Sequence, residues 1–142
     1  MGFWGGNRVG FKITNGELDL FLKYAEGNIA VLFLLVAIRC TEQGGPGREM
    51  GVLDKRANNL EKQVRWARNT ILNNEKRFEK KHFDLLARNP NTGLFADAFL
   101  EYFSGVYAPV GAENDPRTLN KNHLKNLRFF HSRCRVMLGE VA

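Results

Sequence analysis

The sequence predicts an all-α fold: a bundle of four to five helices, one of them long and heptad-patterned, preceded by a non-helical Gly/aromatic N-terminal arm. Three observations lead there. Apolar residues recur at helical spacing through most of the 142 residues, a seven-residue apolar repeat runs across the middle of the chain, and only one short segment has the two-residue alternation of a strand. With 44% hydrophobic residues and eleven Phe, the chain carries enough apolar area for one core, which excludes a disordered or fibrous class. A single domain is expected.

Residues 1–13 form the arm. It is rich in Gly and aromatics, and Val9, Phe11 and Ile13 alternate as in a short strand with no second strand to pair with. Helical structure is expected over 14–40. Thr14 followed three residues later by Glu17 fits a capping box, and Leu18, Phe21, Leu22 and Ala25 then share one face. Gly27-Asn28 marks a stop or kink before the apolar run Ile29 to Ile38. Ten apolar residues rise about 15 Å as a helix, half of a hydrocarbon core of about 30 Å, so a buried core helix is expected and a membrane is not.

Residues 41–51 read as a linker, with Gly44, Gly45, Pro46 and Gly47 together. One long helix is expected over 52–88. Ala57, Val64, Ile71, Phe78 and Leu85 repeat every seven residues, and Leu53, Leu60, Ala67 and Asn74 fill the companion seam. Asn89 to Gly93 ends it. An apolar helix over 94–107 follows, with only Asp97, Glu101 and Ser104 as a thin polar stripe. The last helix, 116–138, is punctuated by Asp115 as a cap, Pro116 in the first turn and Gly139 after it. Leu124, Leu127, Phe130, Cys134 and Leu138 make its apolar face.

The formal charge of +6 is unevenly placed. Residues 1–47 are balanced, 48–90 carry eleven basic against six acidic side chains, 91–116 carry four acidic and none basic, and 117–135 carry six basic and none acidic. In the last helix Arg117, Lys121, Lys125, Arg128, Ser132 and Arg135 follow steps of three and four and fall on one stripe. A stripe of like charge without acids inside its own helix is either a solvated face or meets an external anion; a phosphate backbone fits the second, with Asn120, Asn122, Asn126, His123 and His131 interleaved as hydrogen-bonding groups. Arg65, Arg68, Lys76 and Lys80 on the long helix form a second basic set, near Trp66. Acidic residues of a neighbouring copy are the competing anion.

No catalytic, metal or cofactor site is expected. Cys40 and Cys134 are 94 residues apart, the three His are scattered, and no metal-binding His pair or phosphate-cradling glycine loop occurs. Two free thiols point to a reducing, cytoplasmic setting. Arg77 to His82 and Arg117 to His123 have the Arg-to-His spacing of helical HEPN-type ribonucleases, but twelve Arg and three His give roughly 0.8 such spacings at random, so spacing alone assigns no family.

The sequence therefore leads to a non-catalytic nucleic-acid-binding subunit of a larger assembly, acting through its C-terminal basic helix, with a homo-oligomer or other protein subunits as further partners. A structural, oligomerising subunit near a membrane is the first alternative and a small helical ribonuclease the second.

Overall fold

The computed structural model describes residues 13–81, 93–108 and 122–137. They form five helices, α1 Asn15–Ala25, α2 Ile29–Glu42, α3 Leu60–Lys81, α4 Gly93–Tyr107 and α5 His123–Met137. No strand occurs among the described residues, so the chain is all-α. Residues 1–12 of the N-terminal arm, residues 82–88 of the expected long helix, and the Asp115-Pro116 start and Gly139 stop of the last helix lie outside the described residues.

Local chemistry sets the first turns. The Thr14 hydroxyl accepts from the Glu17 amide at 3.0 Å while the Thr14 amide donates to the Glu17 carboxylate at 2.9 Å, completing a capping box at the start of α1. Glu26 closes α1 in the left-handed region at φ 50°, and the Asn28 carboxamide accepts from the Val31 amide at 3.2 Å to open α2. The second carboxylate oxygen of Glu17 accepts from Arg39 Nε at 2.9 Å, fastening the start of α1 to the end of α2.

Helix α2 is the centre of the molecule. Every residue from Val31 to Ile38 is buried, as the unbroken apolar run predicts. It packs against α1, α3 and α5, and α4 packs against α3 and α5. Four helices thus close a ring in the order α2, α3, α4, α5, with α1 covering the α2/α3 side. Helices α2 and α5 are antiparallel, since Glu42 meets His123 at one end while Phe33 meets His131 and Cys134 at the other. Phe21, Phe78 and Phe103 are among the largest fully buried side chains, each contributing on the order of 2–3 kcal/mol by leaving water. Among the described residues no helix is long and apolar enough to cross a membrane.

The seven-residue repeat holds inside α3, where Val64, Ala67, Ile71, Asn74 and Phe78 are buried. Its start does not. Residues 52–59 are not helical, and the cause is Gln63. This fully buried side chain accepts from the amides of Met50 and Val52 at 3.1 and 3.2 Å, and donates to the carbonyls of Val52 and Ala57 at 2.9 and 2.7 Å. Four backbone groups bonded to one carboxamide hold this segment as a loop. Asn59 then caps α3, accepting from the Lys62 amide at 2.9 Å. In the loop, hydrogen bonds from the Arg56 side chain and backbone hold the Asp54 carboxyl down to about 2. Gly44 permits a close backbone approach: a Cβ there would stand 1.7 Å from the Arg48 carbonyl oxygen.

One polar position in α4 joins the interior. Ser104, expected in a thin polar stripe with Asp97 and Glu101, is buried and turned towards α5. The α4 aromatics explain why: Phe99, Phe103 and Tyr107 stack along the helix at 5.9 and 5.1 Å between ring centres, Phe78 of α3 packs on Phe99 at 5.4 Å, and the Tyr107 hydroxyl donates to the Met50 carbonyl. That phase brings Ser104 inward.

Candidate nucleic-acid interface

Two buried residues of α5, Leu127 and Cys134, fix the rotation of this helix. Its outward face is then Asn122, Lys125, Asn126, Phe129, Ser132, Arg133 and Val136, all exposed and spaced by three and four residues. Phe129 is 49% exposed. The Arg133 guanidinium lies over its ring at 5.1 Å, and Lys125 precedes it by one turn. The ring is not loose, because Phe130 meets it edge-on at 5.1 Å and is itself packed against the core. The half-exposed ring thus carries one cation over a face, and a second cation stands one turn away along the helix.

The stripe expected from spacing is divided by this rotation. Lys125 is on the open face. Arg128 and Arg135 lie on the flank: Arg128 Nη2 is 3.5 Å from Glu101 of α4, and Arg135 is partly buried. Arg117 and Lys121 lie outside the described residues. Glu101 of the same chain is thus one acid that meets this helix.

On α3, Arg65, Lys76 and Lys80 are exposed, as are Arg77 and Lys81, and none of the five is within ion-pairing distance of a carboxylate among the described residues. Arg68 differs. Its side chain is 16% exposed, Nη1 donates to the Tyr24 carbonyl at 3.1 Å and to Glu26 at 3.3 Å, and the guanidinium lies 5.4 Å over the Tyr24 ring. It caps the end of α1, where a cation is favoured by the exposed carbonyls. Trp66 is half-buried against the core with Arg56 at 5.2 Å over its ring.

The two described histidines are turned inward, and His82 lies outside the described residues. His123 Nδ1 is 2.7 Å from Ser104 Oγ and Nε2 is 2.9 Å from Glu42 Oε2, with Ser104 and His123 only 4% and 6% exposed. With both ring nitrogens taken by protein partners, this imidazole ties α2, α4 and α5 together. His131 stands edge-on to Phe33 at 5.9 Å, and burial, reinforced by the Arg135 charge, lowers its pKa to about 4. It is neutral at neutral pH and adds no charge to the surface. Among the described residues no group of three or more His, Cys, Asp or Glu could hold a metal. Cys40 and Cys134 are buried free thiols, and burial pushes the Cys134 thiol up.

Sequence reasoning missed Phe129 and Arg133 as site residues. The signal that finds them is the phase set by Leu127 and Cys134, two turns apart on the buried side. Comparison of the chain with protein-family models, with curated proteins and with solved structures finds no match.

Proposed function

We propose that this protein binds single-stranded nucleic acid through the outer face of α5, as a non-catalytic subunit of a larger assembly. The observation that carries the reading is the Lys125, Phe129 and Arg133 arrangement: a half-exposed ring with a guanidinium 5.1 Å over it and an exposed lysine one turn away. A base stacks on such a ring without sequence preference, while the flanking cations neutralise the phosphates on either side. Asn122, Asn126 and Ser132 on the same face donate to phosphate and sugar oxygens.

Fluorescence anisotropy with labelled single-stranded oligo-U and oligo-dT tests this. Binding that weakens with salt, and about tenfold in Phe129→Ala, supports it. Affinity indifferent to both the ring and the salt contradicts it. Comparing RNA with DNA in the same assay identifies the natural strand.

A further inference from the structure

We infer that the bundle is two-headed: α3 and α5 carry separate basic faces on opposite sides of the molecule, and one chain holds two segments of nucleic acid together. The inference rests on the nucleic-acid reading of α5 and extends it to a second surface.

The ring order supplies the geometry. Helices α2 and α4 each pack against both α3 and α5. In a closed ring of four helices this makes α3 and α5 diagonal partners, and the outward faces of diagonal helices point away from each other. The face of α3 is long and polar. Arg65, Asn69, Asn73, Lys76, Arg77, Lys80 and Lys81 are all exposed, and the path from Arg65 to Lys81 measures about 24 Å at 1.5 Å per residue. That length follows about seven phosphates of a stacked strand at about 3.4 Å each. The acids on the helix offset only part of it. Glu61 is held by Tyr24 and Lys23 at 2.5 and 3.1 Å and also feels the Arg65 charge, and Glu75 and Glu79 are half-buried, while Lys76, Arg77, Lys80 and Lys81 form no ion pair among the described residues.

The two heads differ in chemistry. The α5 face has the Phe129 ring. The α3 face has no exposed aromatic among its described residues, so it reads only the phosphate backbone and responds more steeply to salt.

The thickness of the bundle suits a bridge between two strands. Packed helices lie about 8–10 Å apart, so diagonal axes are about 11–14 Å apart, and side chains extend the width to about 20–25 Å. Two strands held at that separation are more than two Debye lengths apart at physiological salt, about 8 Å each, so their mutual repulsion is small.

The test uses the full chain and two non-complementary oligo-U strands, one biotinylated on beads and one fluorescent, with the oligomeric state of the protein checked by sedimentation. Wild type is expected to capture the fluorescent strand in a bell-shaped dependence on protein, falling when protein exceeds strand. Lys76→Glu with Lys80→Glu, and separately Lys125→Glu with Arg133→Glu, are expected to keep their helicity and bind one strand, yet lose capture at least tenfold. Capture that persists in either double variant would show bridging by self-association through one face and overturns the inference. Wild type that binds one strand but never captures the second also overturns it, leaving the α5 reading in place. Wild type that binds neither strand removes both.

Discussion

His123 Nε2 stands 2.9 Å from Glu42 Oε2 across eighty-one residues of chain. The pair joins the first residue of the basic helix to the last residue of the buried helix. Because Ser104 occupies the other nitrogen at 2.7 Å, three helices share one imidazole, and the basic helix is positioned by a buried polar chain. Removing one member leaves buried polar atoms without partners. His123→Ala is expected to cost about 2–4 kcal/mol and Ser104→Ala about 1 kcal/mol in urea unfolding. A double-mutant cycle between positions 42 and 123 is expected to show coupling above about 1 kcal/mol. Additive costs would mean that the two residues act independently.

Gln63 supports a prediction of a different kind. Its carboxamide both accepts and donates, with two bonds each way to the backbone of residues 50–57. Gln63→Glu keeps the shape but sets a carboxylate oxygen against the carbonyls of Val52 and Ala57, and is expected to cost more than Gln63→Leu, itself about 2–4 kcal/mol. Hydrogen exchange at the Met50 and Val52 amides checks the cause: both are expected to lose protection in Gln63→Leu, which removes their acceptor, and to keep an acceptor oxygen in Gln63→Glu.

Acid sensitivity should trace in part to His131. Its folded pKa of about 4 lies below the ordinary 6.5, through burial first and the Arg135 charge second. The unfolded chain therefore takes up the proton first as pH falls. The associated stability is present in full above pH 6.5 and is lost as pH falls from 6.5 towards 4, by about 2–4 kcal/mol. Between about pH 7.5 and 4 the stability of wild type is expected to fall more steeply than that of His131→Phe, which has no such group to protonate. Parallel curves would remove His131 as the cause.

The legible and illegible parts of this fold differ in the range of the interactions that determine them. The repeat of Val64, Ile71 and Phe78, the capping box at Thr14 and the buried run of α2 were legible because each depends on neighbours within two turns. The start of α3 was not, because the apolar phase runs back through Ala57 and Leu53 while the deciding residue, Gln63, acts by capturing backbone far outside its own turn. Ala57 is buried without being helical, and Leu53 is exposed. Ser104 read only as part of a thin polar stripe because nothing in its local spacing announces His123, nineteen residues away. In the candidate site, Lys125 was legible as a cation, but Phe129 and Arg133 depend on the rotation of α5. That rotation is set by the long α2/α5 packing, so the stripe drawn from charge spacing alone was turned by part of a revolution.

If the α5 platform binds a strand by its ring and its flanking charges together, the two parts must separate in a salt series. The most direct measurement is the affinity of wild type, Phe129→Ala and Lys125→Glu with Arg133→Glu for oligo-U across such a series. Removing the ring is predicted to weaken binding about tenfold with the salt slope unchanged, and reversing the charges to make the slope shallower by about 0.7 for each phosphate no longer neutralised. Three indistinguishable titrations would contradict the shared role of ring and charge.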